Sequence, residues 1–181
     1  MRKFLYSVWE TIEVGVIAVA AVLIIRNFLV QPFLVSGASM EPNFSSGDYL
    51  LIDELSYRFR SPERGEVLVF RYPGNPNTFY IKRVIGLPGE RLVFKGGKIT
   101  VFNADHTQGF ALDENYLPSN GETSGGDVTL QSGQYFMLGD NRNFSFDSRS
   151  WGALSSDKIV GVVRLRLWPF NKVLAVEKPT Y

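Results

Sequence analysis

Ser39 stands in a run of small residues, Val35-Ser36-Gly37-Ala38-Ser39-Met40-Glu41-Pro42, just after a stretch that reads as a strand. Small neighbours let a peptide backbone approach closely and leave backbone N–H groups free to hold an oxyanion. Taken alone, such a serine is ordinarily only a loop serine. A serine nucleophile needs a base. The chain has no cysteine and one histidine, His106. Thiolate chemistry, a disulfide framework, a thiolate zinc site and a His-rich metal site are therefore excluded. His106 sits in the polar stretch 103–127, where a solvated loop residue is its ordinary role. Counting leaves a histidine triad open, but the better-placed bases are a neutral lysine or a carboxylate.

Lys82 lies within Phe79-Tyr80-Ile81-Lys82-Arg83-Val84-Ile85. On a strand, alternate side chains face opposite sides. Lys82 then shares a face with Tyr80 and Val84, while Arg83 shares the other with Ile81 and Ile85. In such apolar company the ammonium is disfavoured and the pKa falls from about 10.4, by several units at full burial. A neutral amine could take the serine proton. The ordinary alternative is an edge-strand lysine pointing at solvent.

A third segment, Gly139-Asp140-Asn141-Arg142-Asn143-Phe144-Ser145-Phe146-Asp147-Ser148-Arg149, is dense in hydrogen-bonding groups yet carries Phe144 and Phe146, with Trp151 just beyond. Asp140, Asp147, Arg142 and Arg149 could form an internal ion-pair network. Calcium needs about six to eight oxygens, and the interleaved arginines argue against it.

These segments need a frame. Candidate strands are 33–36, 49–53, 66–71, 78–86, 91–94, 98–102, 128–130, 134–138 and 158–167, with a long loop over 139–157. Residues 53–59 predict one or two helical turns. Gly96 and Gly97 supply the positive φ of a tight hairpin, and 74–77 reads as another turn. The stretch 103–127 reads as a surface excursion. The expected fold class is all-β, with mostly antiparallel sheets and one N-terminal transmembrane helix.

That helix rests on residues 14–25, VGVIAVAAVLII, an unbroken apolar run extended to 12–30 if Glu13 and Arg26 snorkel to the interfaces. A cleaved leader ending near Ala18-Val19-Ala20 and a buried core helix are the competing readings. The apolar run continues past the first, and it shows no polar face for the second. Arg2 and Lys3 place the start in the cytoplasm and everything after Val30 outside. The expected division is 1–31 as cytoplasmic end and anchor, and 32–181 as an extracytoplasmic domain. The 181 residues suffice for one core. A net charge of +1 without a Lys/Arg-dense run argues against nucleic acid as the main partner.

Together, Gly37 and Ser39-Met40, then Tyr80 through Glu90, then Gly139-Asp140-Asn141-Arg142 through Ser145, Asp147, Arg149 and Trp151-Gly152 resemble bacterial type I signal peptidases. Gly47-Asp48 and Arg64 through Phe70 are similar to that family as well. The motifs run in the family's order over nearly the whole domain. The resemblance implies a serine–lysine dyad in an all-β domain outside the cytoplasmic membrane, with no cofactor or metal. It implies removal of signal peptides from pre-proteins after small residues, in an Ala-X-Ala context. Residue by residue, it implies Ser39 as nucleophile, Lys82 as general base and Ser145 as the hydroxyl that orients the amine. Asp147 and Arg149 match a supporting ion pair, and Asp140 matches the carboxylate that contacts Arg83. Gly37 falls where some members carry an oxyanion-hole hydroxyl, so the Ser39 N–H and neighbouring backbone would donate instead. Met40 and Tyr80 are expected wall residues of a shallow apolar pocket. The family often has threonine where this chain has Asn43, and the chain looks like a minimal, single-anchor member. The rivals are a self-cleaving repressor-like peptidase and an anchored, non-catalytic β domain that binds or scaffolds a partner. The latter does not require Ser39 and Lys82 to meet. Nothing in the sequence decides the oligomeric state.

Overall fold

A computed structural model describes residues 9–20, 30–117, 123–179 and 181. Residues 9–20 form helix α1. Among the described residues no helix is long and apolar enough to cross a membrane. The expected anchor falls partly on residues 21–29, which lie outside the described residues.

The rest is mostly antiparallel β-sheet, as the alternation predicts. The strands are β1 Val30–Leu34, β2 Tyr49–Asp53, β3 Val67–Tyr72, β4 Asn75–Gly86, β5 Arg91–Lys95, β6 Lys98–Phe102, β7 Phe110–Ala111, β8 Val128–Thr129, β9 Gln134–Leu138, β10 Leu154–Ser155, β11 Ile159–Trp168 and β12 Leu174–Ala175. A short helix α2, Ser148–Trp151, lies between β9 and β10. The larger sheet has the order β1-β2-β11-β3-β4-β9-β10, with β12 on β11; the smaller has β7-β6-β5-β8. Every pairing is antiparallel.

Period-two alternation divides β3 between two cores. Val67 and Val69 pack with Val35, Met40, Leu50 and Ile52 on one face. Leu68 and Phe70 pack with Val84, Tyr135, Met137 and Leu154 on the other. A third cluster, around Leu92, Ile99, Phe136 and Leu138, joins the small sheet to β9. The register pairs Leu68 with Lys82 and Val67 with Arg83, so the two adjacent cations of β4 enter opposite faces.

Several expectations shift. β1 begins at Val30 rather than Phe33, so Val30 and Gln31, expected in the anchor, are strand residues paired with Asp53 and Ile52. Pro32 is tolerated there because β1 is the edge of its sheet. The turn expected over 74–77 tightens to Pro73-Gly74, and Asn75 already pairs with Tyr72. Gly96 and Gly97 make their turn as expected, with φ of 59° and 76°. The segment 53–59 forms a single 3-10 turn, Ser56–Arg58. The loop 139–157 is more ordered than expected: it holds a 3-10 turn at Arg142–Phe144, α2 and β10.

Candidate active site

The nucleophile candidate is held by a turn that its own neighbours fasten. After β1, Glu41 N donates to Ala38 O at 3.2 Å and Phe44 N to Met40 O at 2.9 Å. Met40 and Phe44 are buried in the core beside Val35 and Leu50. Met40 is thus an anchor of the turn and not a pocket wall, because its side chain points into the sheet's interior. Gly37 has φ of +98°, a conformation that favours glycine, and the space where a Cβ would sit is open.

Lys82 lies on β4 between Tyr80 and Val84 and is 3% exposed. Its Nζ lies 2.7 Å from Ser39 Oγ, and it donates to the Ile81 carbonyl at 2.8 Å. The Tyr80 ring lies beneath, 5.4 Å from centroid to Nζ. Burial pushes the amine from 10.5 down to about 8, while the carboxylates of Asp147 and Asp140 pull the other way. At pH 7, about one Lys82 in ten is then neutral, against about three in ten thousand for an unperturbed lysine.

The loop after β9 encloses the pair. Arg83 grips Asp140 with two bonds, Nε to Oδ1 at 2.8 Å and Nη2 to Oδ2 at 2.6 Å. It also donates to Gly65 O at 2.8 Å and stacks on Tyr116 at 4.3 Å. Asp147 is fully buried; it accepts from Gly139 N at 3.1 Å and takes two bonds from Arg149 at 2.8 Å each. Its side chain also caps α2 through Arg149 N. Arg142 does not join these aspartates. It pairs with Glu114 at 2.5 Å, because its guanidinium crosses to the 103–127 excursion.

Ser145 is brought to the same place without a bond to Lys82. Its Oγ is buried and has no hydrogen-bond partner among the described residues. A Cβ on Gly139 would collide with both Ser145 Oγ and the Ser39 carbonyl. The absence of that one methyl lets the three segments close together.

Asn141 and Asn43 also take part, through bonds that the sequence pattern does not show. Asn141 donates its N–H to Ser39 O and its Nδ2 to Ala38 O, both at 3.0 Å. Asn43 Nδ2 reaches Asp140 Oδ2 at 2.9 Å. The signals in the sequence are the place of Asn141 beside Asp140 and the departure of Asn43 from the threonine common in the resembled family. His106 lies elsewhere, exposed and packed on Phe110 at 4.9 Å. Among the described residues no cluster of three or more His, Cys, Asp or Glu side chains is placed to hold a metal ion.

A cleft of about 350 Å³ opens over Ser39 and Lys82, lined by Phe33, Leu34, Phe79, Tyr80, Phe144 and Phe146 among others. Two strand edges border it. Among the described residues β1 is the end of its sheet, and residues 79–82 of β4 pair only with β3, since β9 joins from Arg83. Such edges present unpaired N–H and C=O groups that an extended peptide can bond. The arrangement suits acyl transfer on a peptide laid along the cleft, with a nucleophile, an adjacent buried amine and open backbone.

The family profile described as "Signal peptidase, peptidase S26" matches residues 8–168. The chain belongs to the signal peptidase family, peptidase S26. Its relatives include the probable signal peptidase I-2 of Synechocystis, 38% identical over 90% of this chain and 75% of that one. The signal peptidase I of Leptolyngbya laminosa is 34% identical over 91% and 81%. The signal peptidase IB of Staphylococcus aureus is 35% identical over 86% and 88%. A crystal structure of a signal peptidase I from Enterococcus faecalis V583 covers 57% of this chain and 97% of its own, at 29% identity and a TM-score of 0.47. With the family comes the reaction class: the chain is a serine endopeptidase.

Proposed function

We propose that this signal peptidase removes N-terminal signal peptides from exported pre-proteins, after small residues, with Ser39 as nucleophile and Lys82 as general base. The observation that carries the reading is the 2.7 Å approach of a buried lysine amine to Ser39 Oγ. It supports a dyad over a non-catalytic anchored domain, in which the two residues have no reason to meet.

Neutral Lys82 takes the Ser39 proton as Oγ bonds to the scissile carbonyl carbon. The Ser39 N–H stabilises the oxyanion, with open space at Gly37, whose own N–H donates to Ser46 Oγ at 3.4 Å and would have to turn from it to join. The Lys82 ammonium then protonates the departing amine as the C–N bond breaks. Water, relieved of a proton by the same amine, displaces Ser39 from the acyl group and the serine is regenerated. Asp140 holds Arg83, and Asp147 with Arg149 holds the loop that carries Ser145, whose hydroxyl steadies the amine during turnover. Tyr80 forms part of the wall that admits only small side chains.

The anchor completes the proposal. The apolar run from residue 12 up to the start of β1 crosses the cytoplasmic membrane once, with the beginning of the chain on the cytoplasmic side and the catalytic domain, from β1 at Val30 onward, outside. Arg2 and Lys3 support that orientation. Tethering at the bilayer surface places the site where an inserted signal peptide presents its cleavage segment.

The test is cleavage of a secreted precursor in detergent by the full chain, Ser39→Ala and Lys82→Ala, with the new N-terminus sequenced. The wild type is expected to cut after a small residue and both variants to lose at least about a thousandfold in rate. Normal processing by either variant overturns the dyad.

A further inference from the structure

The side of the nucleophile turn away from the cleft is tied to the Lys82 strand through a single amide. Asn43 Nδ2 donates to Asp140 Oδ2 at 2.9 Å and to Tyr116 O at 3.1 Å. Both partners are acceptors, which fixes the orientation of the amide. The Asn43 carbonyl accepts from Arg166 Nη1 at 2.8 Å, and that guanidinium also pairs with Asp48 at 3.1 Å. The turn is therefore held from β11 by its backbone and from the loop after β9 by its side chain.

Asp140 is also the carboxylate that Arg83 grips, and Arg83 follows Lys82 on β4. The bonds make a closed circuit: Ser39, the turn to Asn43, Asp140, Arg83, Lys82 and back to Ser39 Oγ. Asn141, beside Asp140, closes a second short link to the Ser39 carbonyl. Bonds on opposite sides of the nucleophile leave its turn little freedom to slide along β4.

We propose that Asn43 is a positioning residue of this peptidase: its Nδ2–H bond to Asp140 sets the nucleophile turn against β4 and occupies a carboxylate that otherwise acts more strongly on the Lys82 amine. The inference rests on reading Ser39 and Lys82 as the dyad.

The second half has a definite sign. The charged groups acting on Lys82 are Asp147 and Asp140, both from the loop after β9; Asp147 is paired with Arg149, and Asp140 with Arg83, whose side chain leaves β4 on the opposite face. Asp140 and Asp147 both favour the ammonium. A donor removed from Asp140 leaves its charge less satisfied, so the ammonium gains and less amine is neutral at a given pH. Asn43→Asp keeps the size, loses both donors and adds a negative charge, so it acts in the same direction and further. A merely structural asparagine would lower Tm on substitution and leave the pH dependence where it was.

The experiment compares full-length wild type, Asn43→Ala and Asn43→Asp in detergent. It follows cleavage of a synthetic peptide spanning a signal-peptide cleavage site from pH 6 to 10, with Tm measured alongside. For Asn43→Ala the expected result is a midpoint of the rising limb moved up by about half a unit, with kcat at pH 7 down about tenfold and KM within about twofold. Asn43→Asp moves the midpoint further. An unchanged midpoint in Asn43→Ala overturns the proposal, whatever happens to Tm, and that variant alone decides if Asn43→Asp does not fold. Failure of the underlying dyad reads differently: Ser39→Ala would then cleave the same peptide.

Discussion

Replacing Lys82 by methionine separates what the lysine does for catalysis from what it does to stability. The amine is 3% exposed and held down to about 8 from 10.5. Each pH unit corresponds to about 1.4 kcal/mol, so confining the ammonium in this site costs about 3 kcal/mol. Because the folded-state value is the lower one, the unfolded chain binds the extra proton between pH 8 and 10.5. The penalty is whole below pH 8 and fades as pH rises through that window. Methionine has similar volume and no charge to bury, and it forfeits the contacts to Ser39 Oγ and the Ile81 carbonyl, about 1 kcal/mol each. Lys82→Met is therefore expected to be inactive yet about 1 kcal/mol or more stabler than wild type at pH 7. The advantage should vanish at about pH 9, where the remaining penalty equals the roughly 2 kcal/mol of lost contacts, and be fully reversed by about pH 10.5. Urea unfolding of both chains in the same non-ionic detergent, at several pH values, measures the difference; alkaline effects common to both chains cancel. A stability difference that does not vary across pH 8–10.5 would refute the burial argument.

Two further substitutions probe the packing around the pair. Gly139→Ala places a methyl against Ser145 Oγ and the Ser39 carbonyl. The backbone must move, and kcat is expected to fall about a hundredfold with KM little changed, read from steady-state kinetics. Arg83→Lys loses the two-bond grip on Asp140 and the stacking on Tyr116, and it is expected to lower stability by about 2 to 4 kcal/mol in urea unfolding.

The strands were most legible where alternation meets glycine turns. β2, β6 and β9 have the bounds that the pattern predicts, 49–53, 98–102 and 134–138. Alternation also separated Lys82 from Arg83, and the register places the two on opposite faces of the sheet. β7, β10 and β12 have two residues each, too few to show a period. β4 runs out to Asn75 through polar residues because that end of its hairpin projects into solvent, where turn-forming residues carry no burial signal. β1 was obscured by the apolar run that leads into it. Of the site, Ser39, Lys82 and the loop residues stood out by type and order. The amide links did not: Asn43 and Asp140 are 97 residues apart, and Arg142 reaches Glu114 across 28. Such pairings depend on how loops meet in space, which local spacing does not encode.

The central claim is that a neutral Lys82 activates Ser39. It is tested most directly by kcat/KM for a signal-peptide cleavage-site peptide from pH 6 to 11, under conditions in which the enzyme stays folded. The account predicts a rising limb with its midpoint near 8, the value to which burial brings the amine. A midpoint near the ordinary lysine value of about 10.4, or no limb in that range, would contradict it.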